Sequence, residues 1–434
     1  MHNTPRLFAH QEHTASWYAT SSGPTPHYPT LQNSVQADVC VIGAGYTGLS
    51  AALELAKRGF SVVILEGARV GWGASGRNGG QVLNDVACGM ETIAQQLGRE
   101  QARRVWQMSL EAVELVKERV EAYHIDCHLQ WGYVHAALKM RQMDALRQWQ
   151  QQAADHYDYH DFNILEGRYE LDPYLRSSRY IGGLYDPNSG HLHPLRYALG
   201  LAQAANHSGV QIYEHSPVQA IKAGPPAVLN TPQGQVQANY VVLAGNTYLG
   251  ELAPALDRRI MPVGTYIIAT EPLGESLARS LLPQNSAVCD TNFVLDYFRL
   301  SHDWRLLFGG RVSYSGMSPL NLKQSMRQDM LKVFPKLAAS KVEFGWGGFV
   351  DITMNRAPDF GRLLPHVFYA QGFSGHGVAL TGLAGLLMAE AISGQAGRFD
   401  VFSRLKHRPF PGGPRFRTPA LVLAMLWYRL RDLL

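Results

Sequence analysis

The stretch from Ala37 to Glu66, ADVCVIGAGYTGLSAALELAKRGFSVVILE, limits what this chain can fold into more than any other segment. A short β-branched run, Val39 to Ile42, stops at Gly43-Ala44-Gly45-Tyr46-Thr47-Gly48. Leu49, Ala52, Leu53 and Ala56 then share one helical face, and Gly59 closes the helix. A second apolar run, Val62 to Leu65, ends at Glu66. This is a complete β-α-β unit, and a parallel pair joined by a helix requires a sheet covered on both faces.

Each residue of the turn has a physical task. Gly43 permits the tight turn, Gly45 lets the backbone approach a pyrophosphate, and Gly48 lets helix and strand pack closely. The helix start supplies free N–H groups and the positive end of its dipole. Glu66 caps the second strand, where a carboxylate accepts hydrogen bonds from both ribose hydroxyls and disfavours a 2′-phosphate. NADP is therefore not expected, and NAD and FAD remain.

Similar signals recur far along the chain. Tyr240 to Ala244 is a buried run before Gly245. Val367 to Ala370 leads into Gly372-Phe373-Ser374-Gly375-His376-Gly377 and a helix to Ile392. Between Arg258 and Phe349 the pattern is mostly β. The expected fold is α/β: a Rossmann-like domain built from discontinuous segments, 38–89, 165–257 and 355–434, with an inserted antiparallel β-rich substrate domain from 90–164 and 258–354. Tyr180 to Tyr185 reads as a strand of the first domain, and Met90 to Tyr123 as one long helical pattern. Residues 1–37, polar and rich in proline, read as an arm draped over the surface.

Composition closes off other classes. With 434 residues, 46% hydrophobic and 17% charged, the chain buries a core and is not disordered. A net charge of +4 gives no field for nucleic acid. The cysteines (Cys40, Cys88, Cys127, Cys289) form no CxxC pair, so neither a zinc site nor a disulfide framework is expected. His191-Leu192-His193 abuts Pro194 and reads as a helix cap, so no metal is expected. No stretch approaches the ~20 apolar residues of a membrane span. The start has no signal-peptide pattern, and the expected location is the cytoplasm. The C-terminal ALVLAMLWYRLRDLL reads as packing on the protein or a partner copy, with peripheral membrane contact as the alternative.

Two glycine-rich segments distinguish the remaining cofactors. Gly71-Trp72-Gly73-Ala74-Ser75-Gly76-Arg77-Asn78-Gly79-Gly80-Gln81 suits close passage along an extended ligand. At Gly372–Gly377 a helix N-terminus stabilises negative charge on a reduced ring, and His376 either acts there or is satisfied within its turn.

Together these motifs resemble the D-amino-acid-oxidase family of FAD enzymes, which includes the glycine and sarcosine oxidases. The likeness covers nearly the whole chain. SGHLHPL at Ser189–Leu195, AGNTYLG at Ala244–Gly250, LDYFRL at Leu295–Leu300 and PFPGG at Pro409–Gly413 draw it toward members that act on gamma-glutamylated putrescine. The resemblance implies that Gly43 to Gly48, with Ala44, Gly45, Tyr46 and Thr47 foremost, line the pyrophosphate and that Glu66 holds the adenosine ribose. Ala74, Ser75, Arg77, Asn78, Gly79, Gly80 and Gln81 would run toward the flavin ring. Pro217 and Val218 would lie beside the adenine, Ala244 and Gly245 would close that side, and Gly375, His376, Gly377 and Val378 would meet the ring. His376 and Gln81 are the catalytic candidates.

Two departures carry information. Sarcosine oxidases place a substrate-binding lysine two residues after this last glycine motif; here Val378 is followed by Ala379, which disfavours N-methyl amino acids. The segment before Ala357-Pro358 lacks the family's flavin-linking cysteine, so non-covalent FAD is expected. The expected activity is oxidative deamination of a gamma-glutamylated polyamine, giving an aldehyde and ammonia, with O2 or another acceptor reoxidising the flavin. Tyr266, Tyr297, Phe298 and Trp346 either wall a slot for a four-carbon amine or fill the sheet's core. Arg299 and Arg311 either bind a distal carboxylate or serve the sheet. A glycine- or sarcosine-like oxidase and a catalytically idle flavoprotein are the alternatives.

Overall fold

The computed structural model describes residues 11–292, 294–313 and 321–411. Two sheets organise its α/β fold. In the first, Ser34–Ile42 lies between Val62–Leu65 and Gln235–Leu243, all parallel. Val367–Gln371 continues the parallel set beside Gln235–Leu243, and Gln211–Tyr213 joins it beside Val62–Leu65. Every residue of Val62–Leu65 and of Val367–Gln371 is buried, as strands covered on both faces must be.

The helix Gly377–Ile392 packs against Tyr46–Lys57 so closely that a Cβ on Gly385 would stand 2.5 Å from the Ala51 nitrogen. The Ser50 hydroxyl donates to the Gly382 carbonyl at 2.5 Å. This contact ties the first turn motif to the last, some 330 residues apart in sequence. Gly377–Ile392 buries residues on nearly all its faces, which accounts for its uniformly apolar sequence.

The second sheet is mostly antiparallel and runs in the order Val342–Thr353, Ile260–Thr270, Leu306–Ser313, Tyr297–Leu300, Ala287–Asp290, Gln130–Ala137, Gly182–His191, Gln81–Val82. Two of these strands differ from expectation. Gln81–Val82 and Gly182–His191 were expected with the first sheet's segments, 38–89 and 165–257, yet they pair in the second. The cause is long-range register: Leu184 faces His135 and Gly190 faces Trp131, pairings that no local pattern announces.

The arm also departs from its reading as a surface strap. Its first described element, the helix Trp17–Ser21, buries Trp17 and Tyr18 completely, and Leu31 is buried too. Tyr18 lies edge-on to Trp346 at 5.0 Å and to His193 at 4.9 Å. Met90–Leu97 and Arg99–Ala122 are two helices where one was expected, broken at Gly98 with φ +84°. His193 caps the helix Pro194–His207, its Nδ1 accepting from the Arg196 N–H at 3.2 Å. All four cysteines are free. Among the described residues no group of histidine, cysteine or acidic side chains has the form of a metal site, and no helix is long and apolar enough to cross a membrane. The C-terminal apolar segment lies outside the described residues.

Candidate active site

The parallel strands of the first sheet deliver their C-terminal ends to one long cleft of about 1420 Å³. That is the general position for ligands in such sheets, and the volume exceeds the roughly 300–1,000 Å³ of ordinary small-molecule sites. Gly43, Gly45, Tyr46 and Thr47 form one part of its wall, and Glu66 another. A Cβ on Gly48 would fall 2.0 Å from the Gly43 carbonyl oxygen and 3.1 Å from Val41, so this position admits only glycine. Gly43 itself has φ +103°. Gly48 and Ala44 stand behind the wall and shape it.

Glu66 organises this end. One carboxylate oxygen accepts from the Ala44 N–H at 2.7 Å and the other from the Ala68 N–H at 2.8 Å. A carboxylate offers about four acceptor positions, so two remain for hydroxyl donors. Burial raises its pKa, and the nearby Glu214 charge adds to that rise. Pro217 and Val218 line the same cleft, as do Ala244 and Gly245.

Ala74, Ser75 and Asn78 also line it. Ser75 Oγ accepts the Tyr46 N–H at 3.0 Å, joining this loop to the start of the first helix. Arg77 acts from behind: its Nε donates to the Trp72 carbonyl at 2.7 Å and its guanidinium lies 4.2 Å from the Trp72 ring, which faces the cleft. Gly79, Gly80 and Gln81 leave the cleft and lead into the second sheet, where Gln81–Val82 pairs with Gly182–His191. Gln81 Nε2 donates to the Val288 carbonyl at 3.3 Å, and its carbonyl accepts from the Tyr133 hydroxyl at 3.3 Å.

Gly375, Gly377 and Val378 complete the wall from the far end of the chain. His376 begins the helix Gly377–Ile392, and its Nδ1 is buried without a partner. Burial, reinforced by the Arg356 charge, lowers its pKa to about 4, so the ring is neutral at physiological pH. His376 also bears electrostatically on His135, whose pKa burial lowers to about 3. His135 Nδ1 lies 3.6 Å from the Cys289 sulfur. Burial pushes that thiol up to about 12, so it is not a nucleophile.

The substrate candidates separate. Arg299, 4% exposed, donates to the carbonyls of Gly79 (2.7 Å), Leu192 (2.9 Å) and Leu300 (3.2 Å) and to the Tyr18 hydroxyl (3.1 Å). It is a structural hub, the second of the two roles its sequence allows, rather than a carboxylate anchor. Trp346 is buried, donating to the Arg77 carbonyl at 3.0 Å, and Tyr266 and Phe298 belong to the core under the second sheet. Tyr297 lies flat over Gly309 and Gly79, where added Cβ atoms would meet its ring at 2.0 and 2.8 Å. It joins the glycine-rich loop to the second sheet. The side chain of Arg311 lies outside the described residues.

Sequence reading missed Asp351 and Asn246, which both line the cleft. Asp351 accepts the Gly372 N–H, and the Ser374 N–H bonds its carbonyl at 3.0 Å. Burial raises the Asp351 pKa from 3.8 to about 7. Asn246, held at φ +52°, leaves its Oδ1 buried and unpartnered in the cleft wall. AGNTYLG pointed to the Asn246 turn as a motif, while nothing in GGFVD marks Asp351 as special.

The site fits a flavin adenine dinucleotide on these observations: a large cleft, a helix start behind three glycines, a half-occupied carboxylate at one end, and an orphaned polar atom on Asn246 elsewhere in its wall. Comparison with known proteins agrees. The profile of the DAO family, FAD dependent oxidoreductases, matches residues 38–391. The chain is 44% identical to gamma-glutamylputrescine oxidoreductase of Escherichia coli K12, covering 97% of this chain and 99% of that one. It is likewise 44% identical to the probable oxidoreductase OrdL of Haemophilus influenzae, over 98% and 99%. Glycine oxidase from Geobacillus kaustophilus shares the fold, with a TM-score of 0.71 at 22% identity, covering 86% of this chain and all of that one. The chain belongs to the DAO family of FAD-dependent oxidoreductases.

Proposed function

We propose that this enzyme oxidises the terminal amine of a gamma-glutamylated putrescine or a close polyamine derivative, yielding an aldehyde and ammonia. The 44% identity to the Escherichia coli gamma-glutamylputrescine oxidoreductase across 97% of the chain carries this reading. Val378-Ala379 supports it by offering no lysine to a carboxylate beside the reacting carbon.

In this reading Gly43 to Thr47 and the helix start hold the pyrophosphate, Glu66 the ribose, and Pro217 with Val218 the adenine. Ala74, Ser75 and Asn78 run along the cofactor, and Gly375, Gly377 and Val378 meet its ring. Bound FAD supplies the two-electron acceptor for the amine. The protein's own work is to orient the neutral amine and exclude water. No general base is assigned: His376 is neutral and Cys289 is protonated at neutral pH. O2 or another electron acceptor completes the turnover.

Anaerobic mixing of the holoenzyme with gamma-glutamylputrescine, putrescine, glycine and sarcosine tests the assignment. The flavin band should bleach fastest with the glutamylated amine. Faster bleaching with glycine or sarcosine would replace it with an amino-acid oxidase, and no bleaching with any amine would make this an idle flavoprotein.

A further inference from the structure

A second cavity of about 230 Å³ lies outside the cofactor cleft, between the loop at Asp85–Met90 and the helices Arg99–Ala122 and Met140–Tyr157. Its walls combine three aromatic rings, Trp106, Trp149 and Tyr157, with the carboxylate of Asp85. Trp106 and Tyr157 are stacked at 5.1 Å and 22°, and Trp149 is braced edge-on against His135 at 4.9 Å. Glu91 adds a second carboxylate at the exposed rim.

The polar groups here are incompletely matched. Asp85 accepts one N–H, from Val86 at 2.6 Å, and enters no ion pair among the described residues. Its backbone sits at φ +67° with its own N–H bonded to Ser109 Oγ at 3.1 Å, so the carboxylate is held in place rather than free to swing into bulk solvent. Arg99 and Arg103, whose charges are felt at Tyr157, are both engaged by His156. Independently, the Trp106 Nε1 donor is buried without an acceptor, the side chain being only 1% exposed. Gly89, which starts the helix Met90–Leu97 on the same wall, provides no side-chain cap for the helix N–H groups. A carboxylate without an ion pair among aromatic faces calls for a cation, and unmatched donors in the same walls call for an oxygen. Among the described residues no group of three histidine, cysteine or acidic side chains could hold a metal ion, so the cation is organic.

We infer that this cavity binds a small organic ammonium ion carrying an oxygen acceptor a few bonds from its nitrogen, with Asp85 and the rings of Trp149 and Tyr157 on the cation and Trp106 on the oxygen. The site is separate from the flavin cleft, and its occupancy does not depend on which amine the enzyme oxidises.

Choline is the probe, because it carries both features and has no CH–NH2 group to be oxidised. Calorimetric titration of the holoenzyme should show saturable one-site binding of choline with the flavin absorbance unchanged. Its neutral isostere 3,3-dimethylbutan-1-ol should bind about tenfold more weakly or worse, and tetramethylammonium, lacking the oxygen, should also bind more weakly. Asp85→Asn keeps the shape and tolerates the left-handed backbone; it should weaken choline by about tenfold. Trp149→Leu should weaken it as well, with Trp149→Phe restoring part of the loss. Absence of saturable choline binding would overturn the inference, as would equal affinity for the neutral isostere or undiminished binding by both Asp85→Asn and Trp149→Leu. A choline-induced change in the flavin band that survives Asp85→Asn would place the ligand in the cofactor cleft and overturn it too.

Discussion

Arg299→Met separates a structural role from a substrate-binding one. In the native protein this guanidinium makes four hydrogen bonds, to Gly79, Leu192, Leu300 and Tyr18, and it is 4% exposed. Hydrogen bonds from a charged donor are each worth about 1.5–3 kcal/mol, and carbonyls left buried without partners lose their hydration besides. Methionine recovers part of the packing through its similar stem, so a net loss of about 4–6 kcal/mol is expected, less than the sum of four bonds because the deletions are not independent. At roughly 2 °C per kcal/mol for a large chain, Tm should fall by about 8 °C or more. The assay is thermal unfolding of the holoenzyme followed by circular dichroism and by release of flavin fluorescence, alongside KM for gamma-glutamylputrescine. Flavin release should move with the fall in Tm, because Gly79 lies in the loop that supplies Ala74, Ser75 and Asn78 to the cleft. A Tm within 2 °C of the parent together with a large rise in KM would refute the hub and restore Arg299 as a carboxylate anchor.

Three further outcomes are expected. Gly48→Ala puts a methyl 2.0 Å from the Gly43 carbonyl oxygen, so the helix must move by more than that wall tolerates; a stability loss of about 3 kcal/mol or more and purification without yellow colour should follow, checked by denaturant unfolding and by the ratio of visible to ultraviolet absorbance. Asp351 has its pKa raised to about 7, so its contribution is fully present below pH 4 and is lost as pH rises through 7. Asp351→Asn should therefore gain on the parent across that window, by up to about 4 kcal/mol, and a constant difference from pH 4 to pH 8 would show that the carboxyl does not titrate there. Acid precipitation should release all the flavin into the supernatant; yellow colour left in the pellet would show a covalent link.

The parts of this site that are written locally could be read from the sequence. Gly43 to Gly48 and Glu66 act within one β-α-β unit, so spacing alone located them. The strand–turn–helix at Val367–Ile392 was recoverable for the same reason. What escaped depends on partners distant in the chain. Arg299 looks like any arginine in a strand until Tyr18, 281 residues away, and Leu192, 107 away, are brought to it. Asp351 gains its shifted ionisation only from burial beneath the Gly372 turn. Gly182–His191 has strand character in either sheet, and only its register with Gln130–Ala137 settles which sheet it joins. Trp17 and Tyr18 sit in a polar, proline-rich context that masks two of the most buried rings in the protein.

The strand order of the first sheet also dictates when the enzyme can be born. Its central strand, Ser34–Ile42, emerges early from the ribosome, but one neighbour, Gln235–Leu243, comes about two hundred residues later, and Val367–Gln371 later still. Until Gly377–Ile392 leaves the exit tunnel, the helix Tyr46–Lys57 lacks the neighbour that Ser50 and Ala51 pack against, and the cradle for the dinucleotide has one side missing. Nascent chains therefore carry exposed apolar surface until that helix emerges, and flavin capture must wait for the wall formed by Gly375, Gly377 and Val378.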